Sequence, residues 1–240
     1  MTKKSFDPET AARESVAAAR HAVGDRLIAA VLYGSAAGGE FHPEHSDVNV
    51  GFVFSALGSD ELTALRGAHE SWTERRVVRP LLLSRKSLDQ SHDTFPLEYL
   101  LIRERHRTLH GPDLFASIPI ERTALRAQVE RVLRAQELGL SLSYVAMAGT
   151  PEGARRWASQ ASSAIAASAS GLLHLSGEAI PATRADLAAR CATRFGVDGA
   201  MLLALLRRDG AVIPATRLLD AAQALLDRLL DEVERLDGAR

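Results

Sequence analysis

The sequence predicts an α/β (α+β) chain, with a mixed-sheet domain over residues 1–118 and an all-α helical bundle over residues 119–240. Three observations lead there. Short apolar runs at residues 26–34, 47–54 and 77–83 have the length of buried strands and are closed by glycine or polar residues. Leu62, Leu65, His69 and Trp72 recur at helical spacing between the second run and the third, which gives the strand, helix, strand order of a small α/β sheet. Beyond Pro119, leucine and alanine recur at helical spacing through five segments, punctuated by Gly149-Thr150-Pro151, Gly177, Pro181, Gly196, Gly210 and Pro214.

Each element has its own reason. Asp7-Pro8-Glu9 supplies an N-cap, a first-turn proline and an acidic first turn for an alanine-rich helix that stops near Gly24. The run RLIAAVLYG is apolar and short for a helix, so it reads as a strand buried on both faces. SAAGGEFHPEHS, residues 35–46, is a loop of small residues with one helical turn at its start. In DVNVGFVF, residues 47–54, side chains alternate, which puts Val48 and Val50 on one face and Asp47 and Asn49 on the other. Pro80 inside VVRPLLL sends that strand to an edge or a bulge. A helix carrying Phe95, Tyr99, Leu100 and Ile102 follows, and the sheet domain reaches about Asp113. In the second half, helices are expected over residues 121–149, 151–177, 185–195, 199–208 and 214–236. The small-residue run SQASSAIAASASG, residues 159–171, lets another backbone approach closely. The leucine-rich segment 220–236 closes the bundle. Trp157 is read either as core or as the wall of a cleft between the two halves.

Composition narrows the function. With 46% hydrophobic and 25% charged residues the chain is of the soluble globular type, neither wholly disordered nor fibrous. Lys plus Arg (29) against Asp plus Glu (30) leaves a net charge of -1, no footprint for sequence-blind binding to phosphate backbones, so nucleic acid is not an expected partner. The single cysteine, Cys191, makes no internal disulfide, and no Cys/His cluster has the spacing of a structural zinc site. The N-terminus lacks the apolar core of a signal peptide, and no stretch approaches the roughly 20 apolar residues of a membrane span. A cytoplasmic protein without a membrane partner is expected, and its oligomeric state is left open.

The chemistry lies in LYGSAAGGEFHPEHSDVNV, residues 32–50. A triphosphate needs backbone N–H donors at a turn; Gly34 lets the chain come close to phosphates and Ser35 adds a hydroxyl. Carboxylates at i and i+2 of one strand face the same way and can hold two hard cations that clamp attacking and leaving oxygens. This segment resembles the nucleotidyltransferase superfamily related to DNA polymerase beta, which includes antibiotic nucleotidyltransferases and in which a Gly-Ser after the first strand is followed by Asp-x-Asp on the second. The resemblance implies a nucleotidyltransferase-like sheet domain followed by a helical bundle. It also implies transfer of a nucleoside monophosphate from a nucleoside triphosphate to a small-molecule or protein hydroxyl, aided by Mg2+. Carried over residue by residue, it makes Gly34, Ser35 and Ser46 nucleotide-binding and gives Asp47 and Asn49 the catalytic and metal-binding positions.

The sequence departs from that pattern twice. Asn49 stands where the second carboxylate belongs, and VVRPLLL, the strand expected to carry a third, has no Asp or Glu. Losing supporting contacts around a metal costs roughly 10- to 100-fold, and losing the ligating carboxylates themselves costs more. Glu40, Glu44, Glu74, Asp89, Asp93 and Glu98 lie nearby in sequence, but nothing places one opposite Asp47. The expected function is therefore triphosphate binding with weakened or lost catalysis. The alternative is a non-catalytic module that uses the old pocket for a ligand or partner. His42 and His45 flank the loop, and Arg79, Arg85, Lys86, Arg103 and Arg105 are candidate triphosphate contacts. The Arg105-His106 pair followed by His110 also has a spacing similar to that in certain helical ribonuclease toxins, although it sits outside the helical half.

Overall fold

Helix α1 (Pro8–Val23) begins where its cap dictates, because the Asp7 carboxylate accepts from the Glu9 and Thr10 N–H groups at 3.2 Å each. It ends at Gly24, whose φ of 59° suits glycine. In this computed structural model, which describes residues 6–42, 46–147, 149–206 and 213–238, one compact unit comprises Met1–Thr94 with Glu98–Pro119 and a second comprises Phe95–Leu97 with Ile120–Arg240.

In the first unit α1 is followed by β1 (Leu27–Tyr33), β2 (Asn49–Phe54), α2 (Ser59–Glu74), β3 (Leu81–Ser84), α3 (Arg85–Gln90), α4 (Pro96–Glu104) and β4 (His106–His110). The sheet order is β3-β2-β1-β4, with β1 antiparallel to both neighbours and β2 parallel to β3 through the α2 crossover. The central position of β1 explains its unbroken apolar run. One face packs on α1 and α2. Phe52 stacks on Trp72 at 5.0 Å between centroids, and the Trp72 indole N–H donates to the Ser15 carbonyl at 3.0 Å, which ties α2 to α1. Leu32, Val48, Val50, Phe54 and Leu65 complete this core, each buried side chain contributing about 1.5–3 kcal/mol. On the other face a Cβ at Gly51 would lie 3.2 Å from Val31 Cγ2 and 3.7 Å from Phe115 Cζ, so the Phe115 ring covers the glycine.

The structure shifts the starts of two expected strands and adds two elements that the sequence did not announce. The third strand starts at Leu81, so Pro80 precedes it instead of interrupting it, although the strand does lie at an edge. Val77 is fully buried and closes α2, its N–H donating to the Trp72 carbonyl at 2.8 Å. The second strand starts at Asn49, with Asp47 and Val48 in its approach, yet the alternation holds: Val48 and Val50 are buried while Asp47 is exposed. Residues 106–110 form the edge strand β4, and Arg85–Gln90 form a short helix capped by the Ser84 hydroxyl, which accepts from the Ser87 N–H at 2.9 Å.

The second unit consists of α5 (Arg122–Met147), α6 (Pro151–Leu175), α7 (Arg184–Phe195), α8 (Gly199–Leu206) and α9 (Ala215–Gly238), each matching an expected helix. Arg207, Arg208 and Gly210 lie outside the described residues. The close approach expected of the small-residue run occurs at Gly171, where a Cβ would lie 2.7 Å from Val129 Cγ2 and 2.9 Å from Leu97 Cδ1. Trp157 is core: it is buried, donates its indole N–H to the Leu140 carbonyl at 3.3 Å and meets Tyr144 edge-on. No helix among the described residues is long and apolar enough to cross a membrane.

Candidate functional site

The chain leaves β1 at Tyr33 and turns at Gly34, whose φ of 72° is a left-handed value that other residues adopt at a cost. The turn is closed by the Gly38 N–H donating to the Gly34 carbonyl and the Glu40 N–H to the Ser35 carbonyl, both at 3.0 Å. The N–H groups of Ser35, Ala36 and Ala37 and the Ser35 hydroxyl have no hydrogen-bond partner among the described residues. Successive N–H groups in such a turn form a concavity suited to an anion.

Pairing within the sheet sets what stands beside that turn. Tyr33 is opposite Asn49 on β2 and opposite His106 on β4, so the turn lies between the ends of two neighbouring strands. A Cβ on Gly34 would lie only 2.7 Å from Asn49 Nδ2; the amide therefore rests against the turn where a side chain would have been. Asp47, two residues earlier on the same face, is exposed. Ser46 is buried and closes its own loop: its hydroxyl accepts from the His42 N–H at 3.0 Å, and its N–H donates to the His42 carbonyl at 2.9 Å. Of the residues singled out from sequence, Gly34, Ser35 and Asn49 are thus brought together, Asp47 stands beside them and Ser46 anchors the loop. Glu44 and His45 lie outside the described residues.

The donor set does not fit a pair of divalent cations. Asp47 brings one carboxylate and Asn49 a neutral amide. The four residues of β3, Leu81–Ser84, contain no acid, and no group of three His, Cys, Asp or Glu among the described residues is placed to hold a metal ion. Asp89 is paired with Arg85 at 2.9 Å, while Glu74, Asp93 and Glu98 are exposed.

Of the basic candidates, Arg105 is the one found against the turn. Its Cδ lies 3.5 Å and its Nη1 3.9 Å from where a Gly38 Cβ would be. Burial pushes the guanidinium below its ordinary value, with the Glu40 charge working the other way. Arg103 instead donates to the Ile118 carbonyl at 3.1 Å, and Arg79 and Lys86 are exposed. His106 and His110 lie on the edge strand and serve it: His106 Nδ1 bonds the Ile102 carbonyl and Nε2 the Asp113 carboxylate, both at 2.9 Å, and His110 Nε2 meets the Leu27 carbonyl at 3.2 Å. Burial acts to raise the Asp113 carboxyl, but hydrogen bonds from His106 and the Ala116 and Phe115 N–H groups hold it below its ordinary value.

No protein-family model and no curated protein matches this sequence. Among solved structures, the crystal structure of spectinomycin adenyltransferase AAD(9) from Enterococcus faecialis, with ATP and spectinomycin, is similar with a TM-score of 0.57 at 10% identity, covering 92% of this chain and 98% of that chain. That likeness shows the fold, which is the nucleotidyltransferase fold.

Proposed function

We propose that this chain binds a nucleoside triphosphate on the turn that follows β1, and that metal-dependent nucleotidyl transfer is weakened or lost. One observation carries the reading: N–H groups of Ser35, Ala36 and Ala37 and the Ser35 hydroxyl, without a hydrogen-bond partner among the described residues, sit on a turn whose glycine is pressed against Asn49. These are donors suited to phosphate oxygens. The solved structure of similar fold was determined with ATP and spectinomycin, which supports a nucleotide as ligand and a small molecule as acceptor. Where transfer survives, its product is a nucleoside monophosphate ester of a small-molecule or protein hydroxyl, and Asp47 is the carboxylate that a Mg2+ ion accompanying the nucleotide would meet.

A second reading, a pocket turned to ligand or partner binding alone, is favoured by Asn49 and the acid-free β3. Calorimetric titration of ATP, GTP, CTP and UTP, with and without magnesium, tests the first. Binding that Gly34→Ala weakens supports it, and no binding of any of the four in either condition ends it. Pyrophosphate release distinguishes the second: turnover at an ordinary enzyme rate of about 1 s⁻¹ or more with a hydroxyl acceptor would show catalysis intact.

A further inference from the structure

We propose that the Arg105 guanidinium supplies the positive charge for this site, so that the triphosphate binds directly to protein groups without a divalent cation. The inference rests on the triphosphate reading above and names how its charge is met. Three observations lead to it. The first is placement. Because β1 lies between β2 and β4, its outgoing turn has Asn49 against Gly34 and Arg105 against Gly38, and those two glycines are joined by the Gly38 N–H to Gly34 carbonyl bond.

The second is an unmet need. A guanidinium has five donors in a rigid fork, and Arg105, part-buried, places none of them in a hydrogen bond or ion pair within bonding distance among the described residues. A partly desolvated cation of this kind is stabilised by an anion that can accept two parallel bonds, and a phosphate group is such an acceptor. Glu40 acts on it only through its charge.

The third is the change of sign around the turn. Carboxylates that would hold cations would also repel phosphate in the absence of those cations. With an amide at position 49 and no acid on β3, the carboxylates beside the turn among the described residues are Asp47 and Glu40, and the Glu40 charge acts on Arg105. Against the same turn the chain carries a cation of its own, Arg105.

The test titrates ATP and inorganic tripolyphosphate into the full-length chain, each in EDTA and in magnesium, and repeats this on Arg105→Met, Arg105→Lys and Asp47→Asn. In EDTA the wild type is expected to bind ATP at least as tightly as in magnesium, and more tightly than tripolyphosphate. Arg105→Met weakens both ligands by about 10- to 100-fold, the range for a hydrogen bond to a charged group. Arg105→Lys recovers only part because the fork is gone, and Asp47→Asn tightens binding in EDTA because a repelling charge is removed. Should Arg105→Met fail to fold, Arg105→Gln carries the same comparison, with Arg103→Met as the neighbouring control. Wild-type binding that requires magnesium, or a folded Arg105 variant that binds both ligands as the wild type does, overturns this inference and leaves the triphosphate reading standing. Absence of ATP and tripolyphosphate binding in every condition removes both.

Discussion

Replacing Gly34 by alanine probes the junction between the turn and Asn49, and the structure supplies its own control. Gly34 and Gly39 have nearly equal left-handed φ angles, 72° and 76°, but a Cβ at Gly39 meets nothing within 4 Å while one at Gly34 meets Asn49 Nδ2 at 2.7 Å. The backbone cost of alanine at such an angle is about 1–2 kcal/mol at either position, offset equally in both by the lower chain entropy of unfolded alanine. Only Gly34→Ala must also push the Asn49 amide out of its place, an off-rotamer cost of about 0.5–1.5 kcal/mol. With a urea slope of about 2 kcal/mol/M, Gly34→Ala should unfold about 0.25–0.75 M earlier than Gly39→Ala. Trp72 lies in the sheet unit and Trp157 in the helical one, so Trp72 fluorescence in a Trp157→Phe background reports the relevant unfolding. In an Asn49→Ala background the difference between the two glycine variants should vanish, since the clashing atom is gone. Equal midpoints for Gly34→Ala and Gly39→Ala with Asn49 present, or a difference that persists without it, would refute the placement of Asn49 against the turn.

Other expectations follow from single contacts. Asp113 has a carboxyl held below its ordinary 3.8, so its contribution to stability is complete above the unfolded value and is lost as pH falls through the lower folded one. Asp113→Asn should therefore flatten the plot of urea midpoint against pH below about 4, and an unchanged slope would show that the contacts of this carboxylate with His106 and the Phe115 and Ala116 N–H groups do not matter. Cys191 is buried and its thiol is pushed up to about 12, which leaves about one part in ten thousand as thiolate at pH 8. Native protein should resist a thiol reagent until denaturant is added, and prompt labelling would contradict the packing of α7. Gly171→Ala should destabilise the helical unit by about 1–3 kcal/mol through overpacking against Val129 and Leu97, with Val129→Ala restoring part of the loss in chemical denaturation.

The parts of this fold that sequence made legible are those in which periodicity and burial agree. β1 is apolar throughout because strands flank it on both sides, and β2 alternates because Asp47 and Asn49 face away from the Val48 and Val50 core. β4 was hidden for the opposite reason. Its five residues, HRTLH, lie at an edge, where a strand needs only one hydrogen-bonded neighbour and few apolar side chains, so they read as a basic segment. Once β4 went unrecognised, Arg105 was one arginine among several. Its distinction comes from the antiparallel pairing of β4 with β1, a contact across more than seventy residues that no local pattern records. The short helix α3 escaped for want of length, being six residues held by one serine cap.

Viewed along β2 and β3 alone, the amide of Asn49 and the acid-free Leu81–Ser84 give the proposed phosphate turn few groups that could hold a metal ion as its counter-charge. Viewed across β1, the same turn has a second neighbour, and the residue there is a cation without a hydrogen-bonded partner among the described residues. The strand order makes the two sides independent, since Asn49 opens β2 while Arg105 immediately precedes β4, on the other side of β1. A substitution at Asn49 therefore alters what the site can do with a metal while leaving the Arg105 side as it is. Restoring the acid by Asn49→Asp separates the two contributions: it should raise magnesium-dependent ATP binding and, through repulsion, weaken binding in EDTA, in both cases without altering the fold loss caused by Arg105→Met.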